Sequence, residues 1–179
     1  EELDLERGEW LSDLSRLEPL KRLRVLRDGG AHVKRLDVLA ELQNLEDLDL
    51  SGCRVRDFSP LGRLPRLARL NLKDSTIADL RPLANAHALT HLNVDSTRVT
   101  SLAGLESLDA LEGLVASRCP LEDLSALKGA GKLCGLDLRQ TQVRDLAPLS
   151  GLPQLEHLVL TNTPVADLSP LADLPALHT

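Results

Sequence analysis

With 179 residues and a net charge of −6, the chain lacks the clustered Lys and Arg of a nucleic-acid footprint; its basic residues are scattered. No run approaches the ~18 consecutive apolar residues of a membrane helix, and no signal-peptide pattern follows Glu1, though a mature exported chain would look the same. The apolar share of 42% is mostly Leu, Val and Ala, with one Trp, one Phe, no Tyr and no Met, which suits a narrow core of identical layers.

In chain order, residues 1–22 form an irregular first unit. Leu3 and Leu5 lie one residue early, which implies a one-residue insertion between Glu6 and Trp10. Trp10 is expected to cover the open end of the core. From Leu23 the stretch LRVLRDGGAHVKRLDVLAELQN opens a regular pattern. LEDLDLSGCRVRDFSPLGRLPR, from Leu45, states that pattern most clearly. It returns from Leu67, Leu89, Leu111, Leu133 and Leu155, so residues 23–176 hold seven repeats of 22 residues. Leu177 to Thr179 begin a further one. A fixed period of this size with leucines at set offsets means one supersecondary unit stacked as a solenoid, here a single domain over 1–179.

Within a repeat, positions four and six are apolar around a polar residue, as in Leu70-Asn71-Leu72 and Leu136-Asp137-Leu138. Alternation at period two predicts a short strand with one face in the core. Each next strand comes a full coil later, so the strands run parallel. Position nine is small (Ala31, Cys53, Ser75, Thr97, Cys119, Thr141, Thr163) and position eleven aliphatic.

Asp57, Asp79, Asp123, Asp145 and Asp167, with Asp13 in the first unit, then stand where a helix N-cap belongs. Pro60, Pro82, Pro148 and Pro170 fall inside the first turn, where a missing N–H costs nothing. Apolar residues recur every third position (Leu146, Leu149, Leu152), which is 3-10 rather than α periodicity. These aspartates read as structural rather than catalytic. Asp28 takes the place of a buried strand leucine, so that coil is expected to be loosened or Asp28 bonded to backbone amides.

Cys53 and Cys119 occupy the same repeat position three coils apart. At ~4.8 Å per strand they are roughly 14 Å apart, beyond the ~7 Å Cα separation a disulfide tolerates. With Cys134 they read as buried packing thiols in a reducing, cytoplasmic setting. No Cys or His pair has metal-ligand spacing, no cofactor motif is present, and no GxSxG, phosphate loop or HExxH occurs.

The pattern LxxLxLxxTxVxDLSPLxxL resembles the 22-residue class of leucine-rich repeats, typified by bacterial internalins and the regulatory subunit of protein phosphatase 1. The resemblance covers residues 23–176 closely. It implies an α/β, right-handed solenoid with a parallel sheet on the concave face and 3-10 turns on the convex face. It also implies a non-enzymatic protein-binding role, as the sensor or recognition part of a larger bacterial protein. Exposed concave aromatics and a helical N-terminal cap, which internalins carry, are not visible in this sequence.

The outward strand positions three, five and seven vary from repeat to repeat while the core does not. They supply the candidate partner-binding residues Asp47, Asp49, Arg69, Asn71, Lys73, His91, Asn93, Asp95, Gly113, Val115, Gly135, Asp137, Arg139, His157 and Val159. Gly113, Gly135, Val115 and Val159 are expected to form a weakly polar strip. His91, Asn93 and Asp95 would border it on one side, and Asp137, Arg139 and His157 on the other. His91 and Asp95 could serve acid–base or metal chemistry, but neighbouring strands offer no second pair. A protein partner on the concave face is the leading reading. A structural spacer with an empty concave face is the alternative.

Overall fold

In the computed structural model, which describes residues 1–4, 14–27 and 33–178, the chain winds through eight three-residue strands. They are β1 (Glu2–Asp4), β2 (Val25–Arg27), β3 (Asp47–Asp49), β4 (Arg69–Asn71), β5 (His91–Asn93), β6 (Gly113–Val115), β7 (Gly135–Asp137) and β8 (His157–Val159). All pair in parallel, in sequence order, in one sheet. Equivalent leucines stand opposite one another: Leu48 against Leu70, Leu92 against Leu114, Leu136 against Leu158. Leu3 faces Leu26, and Leu26 faces Leu48, so the first coil is one residue longer than the second. Trp10, Asp13, Asp28 and Ala31, whose roles are expected above, lie outside the described residues.

The core is a column of leucine layers between sheet and turns. Leu50, Leu72, Val94, Ala116 and Leu138 at position six are fully buried, as are the position-four leucines from β2 to β7. At the far end Leu158, Leu160, Val165 and Leu171 are only partly covered, and Leu168 is 59% exposed. Opposite the sheet, the described helices are all 3-10: 14–17, 37–41, 59–63, 81–83, 125–127, 147–149 and 169–171. The three-residue apolar spacing is the cause, because i→i+3 bonds keep those leucines on one face.

The capping aspartates act one position earlier than expected. Phe58, Leu80, Leu124, Leu146 and Leu168 occupy the N-cap and carry no side-chain cap bond. The aspartate before each accepts the N–H two residues on: Ser59 to Asp57 at 2.8 Å, Arg81 to Asp79 at 3.0 Å, Ala147 to Asp145 at 2.8 Å. This is an Asx turn leading into the helix. From Phe58 to Leu146 that cap residue points into the core, which places the carboxylate one residue upstream; Leu168, at the uncovered end, keeps the same turn though exposed.

The coil after β5 has no helix among its described residues. Ser101 replaces the aspartate, and Gly104 replaces the proline with φ +105°. A Cβ there would lie 2.6 Å from Arg81 Cα and from Leu80 O, so only glycine lets this coil approach its neighbour.

Two further devices close the turns that follow the strands. Hydroxyls at position nine donate back to the position-six carbonyl: Thr97 to Val94 at 2.7 Å, Thr141 to Leu138 at 2.8 Å, Thr163 to Leu160 at 2.7 Å. Position eight is left-handed from the third coil on, with φ between 56° and 72° at Gly52, Asp74, Ser96, Arg118, Gln140 and Asn162. That conformation turns the chain out of the strand, and its varied residue types leave no identity signal in the sequence.

Candidate functional site

The concave face divides into two halves of different chemistry. Over β1 to β4 the charges pair along the strands. Arg27 bonds Glu2, and Asp47 lies between Arg27 at 3.2 Å and Arg69 at 3.1 Å. The mixed-sign end expected from Asp47, Asp49, Arg69 and Lys73 is therefore largely satisfied internally.

Position five forms a second ladder. Asp49 accepts the Ser51 amide at 2.8 Å, Asn71 the Lys73 amide at 3.1 Å, Asn93 the Asp95 amide at 2.9 Å and Asp137 the Arg139 amide at 3.0 Å. Asn71 Nδ2 also donates to Asp49 across the strands at 2.9 Å. These side chains end the strands by Asx turns, a structural duty that position five carries besides facing outward. Val115 and Val159 interrupt the ladder, and there the face becomes apolar.

From Asp47 at the edge of β3 across to β8 lies a groove of about 620 Å³. Of the predicted residues it brings together Asp47, Arg69, Asn71, His91, Asn93, Gly113, Val115, Gly135, Asp137, His157 and Val159. Asp49, Lys73, Asp95 and Arg139 do not line it.

Asp95 corrects the expectation of an outward residue: it is only 5% exposed. Ser117 Oγ donates to its carboxylate at 2.8 Å and Ser96 Oγ at 3.2 Å, Arg118 pairs with it, and Lys73 stands 3.7 Å away. Burial alone would push this carboxyl up; the bonds from Ser117, Arg118 and Ser96 and the Arg118 charge outweigh it and hold it low. The physical reason is strand length. Each strand ends at position five, so by position seven the alternation has stopped and the side chain turns into the adjoining loop. An acid–base or metal pairing of Asp95 with His91 is thereby removed. Among the described residues no group of three His, Cys, Asp or Glu side chains could hold a metal ion.

Asp137 also differs from its expected place on the rim. It pairs with Val115 on one side and Val159 on the other, so it divides the strip. Its carboxylate is 14% exposed and lies under the Arg139 guanidinium, 2.6 Å away.

The two glycines are not equivalent. A Cβ on Gly113 would stand 3.0 Å from His91 Cδ2, so the imidazole already covers it, whereas a Cβ on Gly135 would meet nothing within 4 Å. The hollow is at Gly135. Glu112 and Cys134 at position two also line the groove, and reading by strand alternation missed both because position two precedes the strand. Cys134 is half-buried rather than buried, with Sγ donating to the Glu112 carbonyl at 3.2 Å.

Parallel three-residue strands in sequence order, a leucine column and 3-10 turns on the opposite face define a leucine-rich repeat solenoid. The family model for leucine-rich repeats in two copies matches residues 43–85 and 132–173. An internalin (InlF) of Listeria monocytogenes is 31% identical with a TM-score of 0.87, over 92% of this chain and 49% of that one. Internalin C2 of the same species is 24% identical with a TM-score of 0.62, over 81% and 74%. A leucine-rich repeat protein of Leptospira interrogans, at 21% identity and a TM-score of 0.78 over 96% and 52%, shares the fold. The chain is a leucine-rich repeat protein with internalin-like repeats. It spans about half the length of the InlF structure. No curated protein is significantly similar to it.

Proposed function

We propose that this domain is a non-enzymatic protein-interaction module that docks its partner on the C-terminal half of the concave face, as the recognition part of a longer bacterial protein. The observation that carries this reading is the groove at Gly135. It is apolar, open and edged by polar groups, the build of an interface core inside a rim. Around that apolar centre the sheet face is occupied by its own ion pairs and Asx turns. Likeness to internalins supports the class of function, since repeat solenoids present broad concave surfaces to partners.

A photo-crosslinking side chain at His157, on the groove, compared with one at Ser150, on the convex side, tests it in extract of the source organism. The expected result is a discrete protein adduct from position 157 alone, lost when Gly135→Trp fills the hollow. Equal capture from both positions, or capture indifferent to Gly135→Trp, would overturn the concave assignment. The self-paired ladder over β1 to β4 is what a structural spacer would carry. Absence of any adduct would extend that reading to the whole face.

A further inference from the structure

We infer that the groove selects a protein segment presenting an apolar side chain beside a lysine or arginine, with the apolar group over Gly135 and the cation against Glu112. This rests on the concave face being the docking face.

The apolar half of the requirement comes from the hollow itself, where Gly135 leaves open space and Val115 stands on the adjoining strand. The cationic half comes from an inventory of charge around it. Asp47 is held between Arg27 and Arg69, and Asp137 lies under Arg139. Glu112 is the groove-lining carboxylate left over: half-buried, and with no ion pair among the described residues. His91 and His157 also line the groove.

Glu112 is also fixed in place relative to the hollow. Its carbonyl accepts the Cys134 amide at 2.9 Å and the Gly135 amide at 3.0 Å, so its Cα stays opposite Cys134, beside Gly135. An unpaired carboxylate at the edge of an apolar groove attracts a cation and repels an acid more strongly than in open water, because its surroundings screen less. The net charge of −6 acts in the same sense at longer range.

Three amidated pentapeptides test this: Ala-Lys-Phe-Lys-Ala, Ala-Ser-Phe-Ser-Ala and Ala-Glu-Phe-Glu-Ala, titrated into the 15N-labelled chain while amide shifts are followed. The basic peptide is expected to move the Gly113, Val115 and Gly135 amides and to bind about three- to fivefold tighter than the serine peptide, with the acidic one weakest. Glu112→Gln, on an accessible side chain, should bring the basic peptide down to the serine level with the spectrum otherwise unchanged. If the acidic peptide binds as well as the basic one at those amides, or Glu112→Gln changes nothing, the charge selection is wrong while concave docking stands. If none of the peptides moves the groove amides, both fall.

Discussion

The imidazole of His91 fills the space above Gly113 on the neighbouring strand, so that a side chain added at Gly113 would begin 3.0 Å from Cδ2. One strand further, the same substitution at Gly135 meets open space. Gly135→Ala should therefore leave stability within about 0.5 kcal/mol of the parent. Gly113→Ala should displace the ring, seen as large shifts of the His91 imidazole resonances with little change at His157. If the ring resonances stay put in Gly113→Ala, the packing of His91 on that strand is misassigned.

Leu136 is 2% exposed, opposite Leu114 and Leu158. Leu136→Asp places a carboxylate among stacked leucine layers with no cation in reach, and several kcal/mol of stability should be lost. Urea melts followed by circular dichroism measure it. An unchanged midpoint would show that position four does not face the core.

Asp145 accepts the Ala147 amide at 2.8 Å on the convex side, away from the groove. Asp145→Ala should cost about 1 kcal/mol, the usual worth of such a bond at a helix entry, and leave groove binding untouched. A binding defect at an unaltered melting temperature would mark Asp145 as functional instead.

The turn aspartates also set a pH dependence. The backbone amides of Ser59, Ser125 and Ser169, then their side chains, hold Asp57, Asp123 and Asp167 below their ordinary value of 3.8. A group whose folded value is lowered stabilises above its unfolded value, and that contribution disappears as pH falls through the folded one. The chain should thus keep its stability down to pH ~4 and lose it progressively below. Replacing all three by Asn keeps an acceptor without the titration. The drop in melting temperature between pH ~6 and ~3 should then be smaller than in the parent, and an equal drop would assign the acid sensitivity elsewhere.

Gln140 carries φ +57° and an exposed side chain that makes no hydrogen bond among the described residues. A non-glycine residue in that region is strained by roughly 1 kcal/mol or more. Gln140→Gly exchanges the strain for a more flexible unfolded chain, so a neutral to slightly stabilising change, up to about 1 kcal/mol, is expected. Arg118→Gly, at the same repeat position, should instead destabilise, because it strips the guanidinium from Asp95. If both substitutions acted alike, the contrast drawn from Asp95 would fail.

The repeat period, the parallel strands, the inward leucines and the 3-10 turns were legible in the sequence because each is enforced many times over. A leucine every 22 residues at position four can face only the core, and a three-residue apolar spacing can form only one kind of turn. The candidate face was legible as a set of outward positions, but its internal bookkeeping was not. That Asp95 turns inward to Ser117 and Arg118, that Asp137 sits between two valines under Arg139, and that His91 covers Gly113 while Gly135 stays open depend on which side chains lean across the strand spacing. Glu112 and Cys134 enter the groove from position two, just ahead of β6 and β7, a placement that two-residue alternation does not encode. The core repeats one contact in every coil and is written in residue type. The face is built from contacts between neighbouring coils that each occur once, so only the tertiary structure could decide them.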